Sequence, residues 1–276
     1  MLNAQAFKDN ERLAWDLCAQ DYDRCLTEPF RPFSEKLLSL ARLGRGQKVL
    51  DIATGSGLAA FLAARSVGPD VEVLGIDLSG RMIELATTRA ERDQVHNIRF
   101  VQMDAEHLEL AAQSFDVVLC ALGLMLFPQP DLALAEMYRV LKPGGTAALS
   151  VFGPGSKVAL RSFMEAFVPH MPPADERGPS TFAFGRGDTL REALDRAGFI
   201  GVQIEEVAHL LTLETPQRAW QMVLSLGRLA QMYSRLGQGQ REQLRQEVLK
   251  IAQERYENPR GLLELPFQIT YAVAAR

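Results

Sequence analysis

The sequence predicts an α/β fold: a doubly wound, mainly parallel seven-stranded sheet, with a helical segment in front of it and a helical cap inserted near its end. Three observations carry this expectation. Between residues 47 and 152, short β-rich runs alternate with stretches whose apolar residues recur near i, i+3 and i+4, the pattern of right-handed βαβ crossovers. A glycine-rich loop follows the first run directly, and an acidic residue closes the second. Near the C-terminus a strand-like run is separated from the last one by a helical excursion, and a strand reached that way slots in antiparallel to its predecessor.

Taken in order, residues 1–46 read as helical, and 33–43 form an amphipathic helix stopped by Gly44. We take 1–46 as a lid segment and 47–276 as one α/β domain with an insertion at about 214–260. The β-rich runs are 48–52, 71–76, 98–102, 115–121 and 146–152, with helical patterns such as 81–91 and 132–141 between them. Before the fifth run, Arg139-Val140-Leu141-Lys142-Pro143-Gly144-Gly145 reads as a helix stop and turn, since Pro143 cannot continue a helix and the glycines permit positive φ. Residues 153–187 hold five prolines and five glycines, which marks an irregular connection. Then come a helix at 189–197 stopped by Gly198, a strand at 202–213, two helical patterns over 216–256 split by Gly237-Gln238-Gly239, and a last strand at 267–274.

Composition narrows the function classes. The formal net charge is −4 and no run of Lys or Arg exceeds two, so the footprint of a nucleic-acid binder is missing and a small neutral or cationic substrate fits better. Cys18, Cys25 and Cys120 are too few and too irregularly spaced for a disulfide framework or a metal site, and they point to a reducing compartment. The N-terminus has no signal-like apolar core, and the longest apolar run, 117–127, is far short of the roughly 20 residues of a membrane helix. We expect a cytoplasmic protein without a membrane span, a monomer or homodimer, acting on a small molecule.

The chemistry concentrates behind the strands. In KVLDIATGSGLAA, residues 48–60, Gly55 and Gly57 allow a tight turn and close ligand approach, and the N–H groups opening the next helix can receive an anion. Asp77 lies 20 residues after Gly57 (77 − 57), where its carboxylate can accept two hydrogen bonds from a ribose diol; Ser79 is the N-cap beyond it. Asp104 and Ala105 follow the third run, where a carboxylate and a backbone N–H can read an adenine edge. These residues suit a dinucleotide as well as an adenosyl ligand, because Gly55-x-Gly57-x-x-Ala60 also satisfies the looser dinucleotide pattern.

Five ordered motifs, LDIATGSG, GIDLSGRMIELA, MDAEHL, SFDVV and YRVLKPGG, make the chain resemble the class I S-adenosylmethionine-dependent methyltransferases over about 47–152. Within them it is similar to the branch of ubiquinone and menaquinone C-methyltransferases and natural-product methyltransferases. The resemblance implies a Rossmann-like methyltransferase domain with sheet order 3-2-1-4-5-7-6, the last strand antiparallel. It also implies that Asp51, Ala53, Thr54, Gly55 and Gly57 hold the methionine moiety, with Asp77 on the ribose. Leu78 and Met82 would pack on the adenosine, Asp104 and Ala105 would meet the adenine, and Cys120 and Ala121 would face the methionine part. Tyr22, seven residues after Trp15, would close over the cofactor. Ala53 departs from the glycine that the family most often carries there.

A sulfonium methyl is already activated, so in-line positioning is the main demand, and it can supply roughly 7–11 kcal/mol. A general base adds about 10²–10⁴-fold in rate. The sequence offers no clear one. Residues 122–127, LGLMLF, contain no ionisable group, and His96, His107, His170 and His209 all read as surface, adenine-side or packing residues. The reading is methyl transfer to an O, N or C nucleophile of a small apolar or aromatic metabolite. The alternative is a non-methyl-transfer reaction, such as decarboxylation, elimination or a pericyclic step, at the same cofactor site.

Overall fold

The computed structural model describes residues 3–172 and 178–276. Two helices precede the sheet, α1 (Ala4–Tyr22) and α2 (Arg31–Ala41), linked through a π-helical turn at Asp23–Thr27. The Asn3 side chain caps α1 by accepting from the Ala6 N–H. α2 stops two residues short of the expected Gly44, because Arg42 itself takes the left-handed conformation at φ 51.

The alternating region is β1 (Val49–Ile52), α3 (Leu58–Val67), β2 (Val73–Asp77), α4 (Gly80–Arg92), β3 (Ile98–Gln102), β4 (Phe115–Ala121), α5 (Pro130–Val140) and β5 (Leu141–Phe152). After it come α6 (Ala159–Phe167), α7 (Gly187–Arg196), β6 (Ile200–Leu213), α8 (Pro216–Leu224), α9 (Gly227–Ser234), α10 (Gln238–Tyr256) and β7 (Leu263–Ala275). The seven strands run β3-β2-β1-β4-β5-β7-β6, with β7 antiparallel to both neighbours. All four residues of β1 are buried, as a parallel strand covered on both faces requires. Strand order reverses between β1 and β4, which opens a crevice at their carboxyl ends, and α2 and α3 pack beside it.

Three expectations are corrected. The turn at Lys142-Pro143-Gly144-Gly145 lies inside β5 as a bulge: Phe115 pairs with Leu141 while Val117 pairs with Thr146, and Gly144 absorbs the extra residues at φ 76. The proline-rich connection contains α6, whose Leu160, Phe163 and Phe167 form a buried stripe that the neighbouring prolines and glycines obscure. The insertion holds three helices rather than two. Its unforeseen break falls between α8 and α9, where Ser225 Oγ donates back to the Gln221 carbonyl (2.7 Å) and a Cβ on Gly227 would sit 3.0 Å from the Trp15 indole.

Candidate functional site

Beyond β1, the chain turns sharply. Ala53 is left-handed at φ 54, Gly55 at φ 56 and Gly57 at φ 89, and the Gly57 N–H closes the turn on the Thr54 carbonyl (2.9 Å). The Thr54 N–H pins the turn to the adjacent strand at the Ile76 carbonyl (2.9 Å). Gly57 is glycine for packing reasons as well as for φ, since a Cβ would lie 2.8 Å from Phe100 and 2.9 Å from Phe61. Beyond β4, Leu122 is likewise left-handed at φ 56, held by its N–H to the Ser150 carbonyl (2.9 Å) and hydroxyl (3.2 Å). Two non-glycine residues thus carry backbone strain on facing strand ends, and both line the same cleft.

That cleft is narrow, about 460 Å³ including its open mouth. Asp51, Ala53, Thr54, Ala121, Leu122 and Ser150 form its floor, and Tyr22, Thr27, Phe30 and Phe33 come from the N-terminal helices. Thr27 Oγ1 and Ser56 Oγ lie 2.7 Å apart, which ties the π-helical turn to the glycine loop. Asp51 is fully buried. Its Oδ2 accepts from the Thr54 hydroxyl (2.6 Å), but its Oδ1 is buried without a hydrogen-bonding partner. Burial, opposed by the Thr54 bond, pushes its carboxyl up to about 7.

Asp77 is oriented by two backbone donors, the Gly55 N–H at 2.9 Å on one oxygen and the Ser79 N–H at 2.9 Å on the other. Each oxygen keeps a second lone pair for a diol. Desolvation, opposed by those N–H bonds, pushes the Asp77 carboxyl up to about 6. Ser79 caps α4 by accepting from the Met82 N–H (3.1 Å), which seats Met82, buried, beside half-buried Leu78. Asp104 Oδ1 accepts from the Glu106 N–H (2.9 Å) across the short turn that holds Ala105. Like Asp77, Leu78, Met82, Asp104 and Ala105, Cys120 does not line the cleft around Asp51; it is wholly buried, and its Sγ would meet a Cβ on Gly123 at 2.9 Å.

α1 covers the cleft. The Tyr22 ring lies 3.7 Å from where a Cβ on Gly55 would be, and it packs edge-on to Trp15 at 5.7 Å. Asp16 Oδ1 accepts from the Ser79 hydroxyl (2.6 Å) and the Arg81 N–H (3.2 Å), and Lys8 reaches Asp104 (2.6 Å). On the other side of α1, Arg228 of α9 donates to Glu11 (2.5 Å) and stacks over Phe7 at 4.8 Å. Sequence reasoning missed Lys8, Asp16, Thr27 and Ser150, because no local pattern pairs residues so far apart. His209 is half-buried, its Nε2 2.9 Å from the Tyr271 hydroxyl and its ring 4.7 Å from Phe33, and it does not line the cleft.

A family described as a methyltransferase domain matches residues 43–171. The arsenite methyltransferase of Halobacterium salinarum is 33% identical over 166 residues, 60% of this chain and 40% of that protein. The demethylmenaquinone methyltransferase of Staphylococcus aureus is 29% identical over 220 residues, 74% of this chain and 90% of that protein. A phosphoethanolamine N-methyltransferase of Haemonchus contortus, solved with S-adenosylhomocysteine, superposes with a TM-score of 0.62 at 20% identity, covering 98% of this chain and 60% of that one. These matches support a class I S-adenosylmethionine-dependent methyltransferase domain over residues 43–171. The chain spans less than half of the arsenite enzyme's length and most of the menaquinone enzyme's.

The residues present fit S-adenosylmethionine, the cofactor that the resemblance implies. An unpartnered buried carboxylate oxygen on Asp51 suits the ammonium of the methionine end, and Asp77 with free lone pairs suits a ribose diol. Among the described residues no helix is long and apolar enough to cross a membrane.

Proposed function

We propose that this methyltransferase methylates an O, N or C nucleophile of a small, apolar or aromatic metabolite. One observation carries the reading: Phe30, Phe33, Ala53, Ala121 and Leu122 line the cleft, its polar members besides Asp51 are side-chain hydroxyls, and 122–127 brings no ionisable group to it. A relative of which this chain spans 90% is named for demethylmenaquinone, which is consistent with such an acceptor.

When bound, S-adenosylmethionine supplies an electrophilic methyl on a sulfonium. Asp51 fixes the methionine end by charge, Asp77 fixes the ribose, and Leu78 and Met82 wall in the adenosine. Tyr22, Phe30 and Phe33 would exclude water from the methyl and hold the acceptor in line with it, and the acceptor's proton would pass to its own basic group or be lost to solvent on product release. Positioning supplies the larger share of the barrier reduction, roughly 7–11 kcal/mol, and no protein base is required. The enzyme works in the cytoplasm as a monomer or homodimer in this reading, without a nucleic-acid partner.

The test incubates the full chain with methyl-labelled S-adenosylmethionine and a panel of quinols, phenols and amines. We expect label in a quinol or phenol product, with stoichiometric S-adenosylhomocysteine. An acceptor that is transformed while the label stays on the cofactor overturns methyl transfer, and labelling confined to hydrophilic amines overturns the apolar acceptor.

A further inference from the structure

One side chain of the N-terminal helix reaches the loop after β3, which carries Asp104. Lys8 Nζ lies 2.6 Å from Asp104 Oδ2 and 3.1 Å from Glu106 Oε2, so one ammonium serves two carboxylates. The Lys8 side chain is only 13% exposed and that of Glu106 only 2%. The acids are tied from below as well. Asp104 Oδ1 holds the Glu106 N–H (2.9 Å), and Glu106 Oε1 holds the Gln129 N–H (2.6 Å) where α5 begins. Each acid therefore has one oxygen committed to a backbone N–H, of its own loop for Asp104 and of the α5 start for Glu106, and the other turned to Lys8. Burial works against the charge on Lys8, but its hydrogen bonds to Asp104 and Glu106 outweigh it and hold the side chain protonated.

The position of Lys8 matters as much as its charge. Asp16, two turns further along the same helix, is bound to Ser79 and the Arg81 N–H at the start of α4, and Tyr22 at the helix end lies over Gly55. If Asp104, Asp77 and the glycine loop take the adenine, the ribose and the methionine end, the three contacts of α1 follow the ligand in that order.

We propose that Lys8 is a positioning residue of the cofactor site. It neutralises and orients the Asp104–Glu106 pair that faces the adenine, and because it stands on α1 it makes seating of that helix and retention of the cofactor one event. This rests on the reading of Asp104 as the adenine-end residue. Two close carboxylates without Lys8 repel one another and swing apart, and the helix loses its hold at that end while Asp16 and Tyr22 keep theirs.

The experiment follows dissociation of S-adenosylhomocysteine from the full chain by stopped-flow tryptophan fluorescence, in the wild type, Lys8→Met and Lys8→Arg. Lys8→Met keeps an unbranched stem and removes the charge; it should speed dissociation about tenfold, as loss of a charge-assisted hydrogen bond implies, and raise the KM for S-adenosylmethionine with kcat kept. Lys8→Arg should restore most of the retention. An unchanged off-rate in Lys8→Met, or an equal loss in Lys8→Arg, overturns the proposal. If Lys8→Met does not fold, Lys8→Gln is read by the same criterion. Failure of the wild type to bind S-adenosylhomocysteine at all would strike the cofactor reading, and is seen before any variant is compared.

Discussion

The loops beneath the cofactor cleft and the helix above it reach their positions by different means. Beneath, Asp51 is held by Thr54 three residues on, and Asp77 by Ser79 two residues on and Gly55 twenty-two residues back. Above, α1 is held by Lys8 to Asp104, 96 residues away, and by Glu11 to Arg228, 217 residues away. Local ties re-form as soon as the βα unit forms, whereas distant ones pay loop-closure entropy and depend on the rest of the fold. The lower loops are therefore expected to keep their geometry when α1 lifts, and α1 to move without unfolding the sheet.

The contrast is most strongly tested at the distant pair. Glu11 is buried with Oε2 unpartnered, and burial already pushes its carboxyl up against the pull of Arg228. Arg228→Ala should destabilise the α1–α9 contact by about 3 kcal/mol, the cost of stranding a buried charge. Hydrogen exchange should show protection lost over 4–22 and 227–234 but retained in β1, β2 and β4; uniform loss would mean that cover and sheet are one cooperative unit. The deficit should shrink at acidic pH, where Glu11 is neutral.

The next test is one of pH. The native Asp51 carboxyl is raised to about 7, so the folded, ligand-free protein binds a proton that the unfolded chain has released above about 4. The stability contributed by protonated Asp51 is full below about pH 4 and is lost as pH rises through 7. Asp51→Asn should flatten that part of the stability profile and leave the ligand-free protein more stable at pH 8. It should also weaken S-adenosylmethionine binding about tenfold at that pH through loss of a charged contact, as read by calorimetry. Wild-type affinity should fall as pH drops below about 7. A profile identical in wild type and Asp51→Asn would show that the oxygen beside the methionine end carries no such strain.

The smallest effect concerns the backbone. Ala53 holds φ 54 where the family most often has glycine. Ala53→Gly should stabilise the protein by about 1 kcal/mol in chemical denaturation, because the left-handed cost is relieved. A loss of stability would mean that the turn is not strained.

These contrasts also explain what could be read from the sequence. The strand positions were legible because periodicity acts over short stretches, whereas the sheet order 3-2-1-4-5-7-6 and the role of Asp51 came from the family resemblance. The bulge at 142–145 was not legible, since proline and two glycines signal a turn equally well whether or not pairing resumes on both sides. Of the cover, Tyr22 came from the family resemblance alone, and Lys8 and Asp16 carry no local signature. Cys120 was placed beside the methionine end by its position at the strand terminus, but its side chain faces the core and only Ala121 lines the cleft.

The edge of the sheet has a consequence of another kind. β6 and β7 pair without interruption from Val207 opposite Ile269 to Leu213 opposite Leu263, so the chain leaves β6 and re-enters β7 at directly facing residues. The three helices between them therefore hang from a hairpin as a cassette whose two ends already meet. Such a cassette can be lengthened, shortened or exchanged for another without shifting the register of any strand, since closing a short gap between neighbouring strands costs little. A lineage built on this plan can alter the cassette without moving the strands that carry the glycine loop, provided the α9 face that holds Glu11 and Trp15 of α1 is kept.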